Sequence, residues 1–336
     1  MVANYRDAPG SGRNAGTPGE EGDAAEPSTA EEHECRTLLV GVDEHGARLD
    51  KILVAMAPEF SRSHLQTLVA LGLVSVDSRP EFANSRRLRA GDRVEVELRP
   101  TAETLAFRPQ PMELAVVHED DDIMVVDKPA GLVVHPAAGN WSGTLLNALL
   151  AHHSQAAVLP RAGIVHRLDK DTSGLMVVGK TLEAVTSLTR AIAAREVRRA
   201  YVAVAHGTMQ EGQRRIDAPI GRDPSSRLRM AVLSSGRPAQ TDVEPLASRA
   251  QCTALRCRLH TGRTHQIRVH LASLGHPLVG DALYGGRELF GIRRQALHAV
   301  ELALDHPRLG RRLAFTSAPP SDFQQAWSAV CSEPAH

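Results

Sequence analysis

Near the middle of the chain a charged ten-residue stretch, His166-Arg167-Leu168-Asp169-Lys170-Asp171-Thr172-Ser173-Gly174-Leu175, runs directly into the apolar segment Leu175-Met176-Val177-Val178. That apolar segment reads as a short buried strand. A charged cluster abutting such a strand lies on a loop held by rigid structure, where catalytic groups are often placed. Asp169 sits among Arg167, Lys170 and His166, and positive neighbours favour the ionised carboxylate near neutral pH. A fixed, ionised carboxylate can act as nucleophile or base. The competing reading is a solvated turn laced with surface ion pairs, which is what isolated charge clusters usually are.

The 336 residues suffice for two domains with one sizeable core. Net charge is zero overall, but residues 1–36 hold three Arg against eight Asp or Glu, so that segment carries −5 and the remainder +5. A mildly basic body is compatible with a nucleic-acid partner without demanding one. Only four of the 39 basic residues are Lys, and three of these (Lys51, Lys128, Lys170) fall inside the motifs described here. Cys35, Cys252, Cys257 and Cys331 form no Cys-x-x-Cys pair and read as reduced thiols of a cytoplasmic protein. No apolar run reaches membrane-span length and no secretory pattern opens the chain.

Residues 1–36 are rich in Gly, Ala, Pro, Ser and Glu, so a disordered tail is expected. Residues 37–99 read as a compact unit. It has terminal strands at Leu38–Val40 and Val94–Leu98, and helical spacing of Leu49, Ile52, Leu53 and Met56. Ser61 is the expected cap of a second helix carrying Leu65, Leu68 and Val69 and stopped by Gly72. A Pro-rich linker is expected over 100–111, a larger domain over 112–325 and a tail over 326–336. The acidic run Glu119-Asp120-Asp121-Asp122 lacks a spaced ligand pattern and reads as a solvated hairpin tip. Thr181 is the expected cap of a helix burying Leu182, Val185, Leu188 and Ile192. Thr264 is the expected cap of another, carrying Ile267, Leu271 and Leu274 and ended by Gly275. His265 and His270 invite a zinc assignment. Five residues apart on a helix they diverge by about 140°, and no accompanying ligand pattern exists, so RNA contact or structural bonding is expected and no metal.

His166–Leu175 resembles the signature of the RluA/RluD family of RNA pseudouridine synthases. The resemblance extends to Asp127–Pro136, Arg199-Ala200-Tyr201, His260–Leu271, Gly275–Asp281, Leu283–Gly286 and the closing segment with Gln295–Ala299. Residues 37–99 resemble the S4 RNA-binding domain through Arg48-Leu49-Asp50-Lys51, Ser61-Arg62-Ser63, Gly72-Leu73-Val74 and Leu88–Asp92. Ser235–Thr241 is closest to the RluD-type branch, whereas Thr241-Asp242-Val243 departs from its usual aromatic-containing strand, which bears on the rRNA target.

The resemblance implies an α+β fold: a mixed, mainly antiparallel central sheet with flanking helices and loops, plus the small α/β S4 domain. It implies that Asp169 is the catalytic residue, paired with Arg268. Tyr201 would stack on the target base and serve as a general base, and Arg167 would fill the space the base vacates. Arg48, Lys51, Arg62 and Ser63 would meet RNA phosphates. No cofactor and no membrane are implied. The expected partner is 23S rRNA or the large ribosomal subunit precursor, bound by a monomer. Rival readings are a non-catalytic ribosome-assembly factor, a synthase acting on another rRNA site or on tRNA, and a metal-dependent nuclease.

Overall fold

The computed structural model describes residues 34–99, 106–137 and 139–332. The chain falls into two units, residues 1–100 and 101–336.

The first unit contains β1 (Glu34–Leu39), α1 (Leu49–Met56), α2 (Arg62–Ala70), β2 (Val74–Val76), β3 (Arg79–Pro80) and β4 (Arg93–Leu98). The strands form one antiparallel sheet in the order β1-β4-β2-β3. Alternate residues of β4 (Val94, Val96, Leu98) face the apolar stripes of α1 (Leu49, Ile52, Leu53) and α2 (Leu65, Leu68, Val69), giving a single core. Ser61 Oγ accepts from His64 N at 3.2 Å, the expected cap. Gly72 follows α2 with φ +73°, a left-handed exit that glycine takes without strain. The expected tail is shorter than its composition suggested, because Glu34, Cys35 and Arg36 pair with Leu98, Glu97 and Val96. Its remainder, residues 1–33, lies outside the described residues, as do 100–105 of the linker and 333–336 of the C-terminal tail.

The second unit holds β5 (Val116–Glu119), β6 (Ile123–Lys128), α3 (Leu145–His152), β7 (Ser173–Gly179), α4 (Leu182–Ala193), β8 (Arg198–His206), β9 (Arg214–Asp217), β10 (Ile220–Arg222), β11 (Met230–Val232), β12 (Gln240–Arg249), β13 (Cys252–Leu259), α5 (Gln266–Ser273), β14 (Leu297–Asp305), β15 (Arg312–Thr316) and α6 (Ser321–Cys331). Nine strands form one sheet in the order β5-β6-β7-β14-β8-β13-β12-β9, with β15 on β14. Among the described residues only β7 and β14 pair in parallel, so the fold is α+β with a mixed, mainly antiparallel sheet. Period-two alternation divides β6 and β7 between two cores. Met124, Val126, Met176 and Val178 join one face with Leu145, Leu149, Ile267 and Leu271. Ile123, Val125, Leu175 and Val177 join the other with Ala184 and Leu188. Every residue of β7 is buried, which places the charged decapeptide at the start of a central strand. Gly174 has φ +113°, and a Cβ there would lie 2.3 Å from the Ala299 carbonyl oxygen, so the β7–β14 contact requires glycine.

Further expectations change in this unit. The chain is helical to Cys331 rather than tail-like from 326, because Phe323, Ala326 and Val330 recur at helical spacing and are buried. The end of the expected linker is tied down: Asn147 Nδ2 donates to the carbonyls of Ala106 (3.2 Å) and Arg108 (2.9 Å). Leu182, counted with the buried face of α4, is exposed in the first turn, while Val185 and Leu188 are buried and Thr181 caps as expected.

Candidate active site

Asp169 lies on the loop entering β7, and Arg268 on α5 brings its guanidinium to it. Arg268 Nη1 donates to Asp169 Oδ2 at 3.1 Å. The same guanidinium forks onto Asp281, with Nε to Oδ2 at 2.7 Å and Nη2 to Oδ1 at 2.8 Å. A cation in contact with two carboxylates is held in one orientation by charge-assisted bonds. Arg268 is buried, and its bonds to Asp281 and the charge of Asp169 outweigh desolvation and hold its pKa above the usual arginine range. The Tyr284 ring lies 5.0 Å from the Arg268 guanidinium carbon and closes a further side. Asp169 keeps 15 % of its side-chain surface exposed and lines a narrow cleft with Arg167, Tyr201, His265 and Leu259. The carboxylate is thus both clamped and reachable.

Sequence reasoning named Asp169, Arg268, Tyr201 and Arg167, and the structure brings all four to this cleft. Tyr201 is buried on β8 with its pKa pushed up to about 12 by burial, so the phenol keeps its proton through the neutral range. Asp281 and Tyr284 were given no role in advance, and His265 was expected only to contact RNA or to bond structurally. Asp281 and Tyr284 were visible as members of Gly280-Asp281 and Leu283-Tyr284, but their contacts with Arg268 are tertiary.

Tyr284 Oη accepts from Met230 N at 2.9 Å and is hydrogen-bonded to His265 Nδ1 at 2.8 Å. The other ring nitrogen, Nε2, lies 3.9 Å from Asp169 Oδ1. Burial lowers the His265 pKa, against an opposing pull from Asp169. His265 also replaces Thr264 as the residue preceding α5, with φ +57° and no side-chain cap. Gln266 braces this end instead. Its Oε1 accepts from Thr261 Oγ1 (2.7 Å) and Arg263 N (3.0 Å), and its Nε2 donates to the Gln240 carbonyl (2.9 Å). Non-glycine residues in left-handed backbone carry strain of about 1–3 kcal/mol, and such residues cluster at functional sites. His270 is buried elsewhere, bonded to Thr241 Oγ1 and the Ala218 carbonyl, so the two histidines do not converge.

Lys128 is buried, and its Nζ donates to the carbonyls of Pro129 (2.7 Å), Leu132 (3.0 Å) and Lys170 (2.9 Å). Burial draws its pKa down to about 7 against the pull of Asp171 and Asp169. Its role is to tie the loop after β6 to the backbone next to Asp169.

The acidic run differs from expectation. Asp121 is exposed, but Asp120 and Asp122 turn inward with His306. These three groups lie close enough for a metal ion. Both carboxylates already have partners: Asp120 accepts from Asp122 N and Ile123 N and contacts His118 and His306, and Arg308 lies 2.9 Å from Asp122.

In the first unit, Asp50 is buried and gathers Arg48 (3.1 and 3.0 Å) and Arg62 (2.6 Å). Those bonds, led by Arg48, hold its carboxyl well below the usual range against desolvation. Lys51, Arg62 and Ser63 are exposed, and Arg48 is partly so.

A clamped, open carboxylate on this sheet belongs to a recognised class of enzyme: the family model for RNA pseudouridylate synthases matches residues 122–273. The chain belongs to the RluA/RluD family of RNA pseudouridine synthases. It is 46% identical over 306 residues to the ribosomal large subunit pseudouridine synthase D of Neisseria meningitidis serogroup B, covering 87% of this chain and 81% of that one. It is 47% identical over 314 residues to the protein of the same description from Xanthomonas campestris pv. campestris, covering 89% and 94%. Among solved structures, human RNA pseudouridylate synthase domain containing 4 shares the fold, with a TM-score of 0.52 and 23% identity, covering 68% of this chain and 94% of that one. The enzyme is an isomerase that converts uridine in RNA to pseudouridine. Among the described residues, no helix is long and apolar enough to cross a membrane.

Proposed function

We propose that the enzyme modifies uridines of 23S rRNA, alone or within the large-subunit precursor, and that Asp169 is its catalytic residue. The observation that carries this reading is the 3.1 Å clamp of Arg268 on a carboxylate that still faces a cleft. The reaction breaks the bond between ribose C1′ and uracil N1, turns the base and joins C1′ to C5. The C5 proton leaves and N1 gains one, so nothing is hydrolysed or oxidised and no cofactor is required. The uridine must leave its stack to reach Asp169, at about a few kcal/mol. Tyr201 then lies against the base; because its phenol keeps its proton through the neutral range it does not serve as the expected general base, and the C5 proton passes to water. Arg167, exposed at the cleft mouth, occupies the vacated stack. The 23S rRNA target is supported by the descriptions of the relatives. A monomer working in the cytoplasm, where the ribosome is assembled, completes the reading. Mapping pseudouridines in 23S rRNA of a strain lacking the gene tests it. Discrete sites should lose the modification and regain it with the wild-type gene, and an unchanged 23S rRNA map would refute the target.

The first unit acts as an S4-type RNA clamp through Arg48, Lys51, Arg62 and Ser63, contacts that position the substrate without reading its sequence. Changing Lys51 and Arg62 to Glu should weaken 23S rRNA binding by roughly tenfold or more at low salt and flatten the salt dependence. Filter binding across a salt series checks this. A parallel shift with unchanged slope would contradict phosphate contact.

A further inference from the structure

Adjoining the uridine cleft is a second cavity of about 500 Å³ that shares Arg167, Asp169 and Tyr201 with it. Its walls carry five arginines: Arg161, Arg167, Arg195, Arg199 and Arg263. Among the described residues none of the five is within ion-pair distance of a carboxylate. Arg195 meets only the Gln240 amide oxygen and Arg263 only the Pro238 carbonyl. The extreme case is Arg199. It is 5 % exposed, its Nε is buried with no acceptor, and no protein group among the described residues bonds its guanidinium.

Arg268, just as buried at 6 % exposed, shows what such a group ordinarily requires, since two carboxylates compensate it. A buried guanidinium with no counter-charge is costly. The surrounding structure makes room for it nonetheless, for a Cβ on Gly262 would lie 3.0 Å from Arg199 Nη1. Beside it, Val177 N donates to His166 Nε2 at 3.1 Å, which puts the proton of the neutral ring on Nδ1. That Nδ1 is also buried and unpartnered. Two donors in this wall therefore await an acceptor from outside the protein. Arg161 and Arg195, on the rim, both stand in left-handed backbone, at φ +54° and +66°, the kind of strain that marks ligand clamps.

We propose that this cavity is a phosphate subsite, in which Arg199 takes a phosphodiester of the RNA directly next to the target uridine. The planar guanidinium fork matches phosphate oxygens. Arg199 and Tyr201 lie two residues apart on one face of β8, about 6.6 Å along the strand, a separation on the scale of one splayed nucleotide step. An anchor there holds the backbone while the base turns. The inference rests on the RNA-substrate reading above.

The test uses the full-length protein and an RNA hairpin whose loop is all uridine, with single methylphosphonates scanned through the loop and Kd read by filter binding. Neutralising one phosphate, on the 5′ or the 3′ side of a uridine, should weaken wild-type binding roughly tenfold, and the scan tells which side. Arg199→Gln should show that loss already and be insensitive to the same methylphosphonate, with an undiminished Tm because a buried unpaired charge has gone. Gly262→Ala, which displaces the guanidinium without removing it, should weaken binding in the same phosphate-specific way and covers the case in which Arg199→Gln fails to fold. Unchanged Kd for the variants, or equal sensitivity of variant and wild type at every phosphate, overturns the proposal. A wild type that releases no tritium from [5-³H]uridine RNA would sink the isomerase reading, while the Kd scan would still judge the phosphate subsite by itself.

Discussion

Asp169→Asn should leave a folded, RNA-binding protein whose pseudouridine formation falls on the order of 10⁴-fold or more, the scale lost when a catalytic nucleophile or base is removed. The substitution is nearly isosteric, and Asp169 is not a core residue. The amide oxygen introduced by the change can still accept from Arg268, and Arg268 keeps its two bonds to Asp281. Tm should therefore stay close to wild type and Kd for 23S rRNA should be unchanged. Nucleoside analysis of treated rRNA by mass spectrometry after a pseudouridine-specific label measures the loss. A variant that still forms pseudouridine within tenfold of wild type would remove Asp169 from the chemistry.

Arg268→Met should be costly in two separable ways. It leaves Asp281, whose side chain is 1 % exposed, as a buried carboxylate without its cation, a change worth about 3–5 kcal/mol. In a unit of this size that is a fall in Tm of roughly 10 °C. It also frees Asp169 from the clamp, so activity should fall by at least about 10²-fold, as when a positioned group is displaced. The two effects part company in the double variant Arg268→Met with Asp281→Asn, which removes the stranded charge. That protein should recover part of the lost Tm and none of the activity. Recovery of activity along with stability would mean that Arg268 serves the fold alone.

How much of this was legible beforehand follows from the range of the interactions. Asp169, Arg268 and Tyr201 could be singled out because each lies in a local string of recognisable order, and strands such as β7 declare themselves through unbroken apolar runs. Asp281 could not be given a role, because its partner is set by how α5 packs and by nothing in its own neighbourhood. The left-handed His265 was likewise hidden. Thr264 satisfies the local rule for a helix cap, yet Gln266 takes the bracing role through groups on β12 and the preceding loop. The acidic turn before β6 looks solvated in one dimension, and its two inward carboxylates acquire His306 and Arg308 only after β14 and the segment following it are placed. Both ends of the folded chain extend beyond composition-based limits for the same reason: Glu34–Arg36 gain a strand partner and Ala326 and Val330 gain a core. The unpaired state of Arg199 is the extreme case. A basic residue before Tyr201 is plain in the sequence, but the lack of any carboxylate near it is a property of the whole fold.

The most direct measurement of the central claim is tritium release from 23S rRNA transcribed with [5-³H]uridine, using purified full-length wild type and Asp169→Asn side by side in the presence of EDTA. The account predicts release by the wild type that plateaus at a fixed small number of uridines per transcript, undiminished by the chelator, and none above background by the variant. Equal release by both proteins, or release that the chelator abolishes, would contradict it.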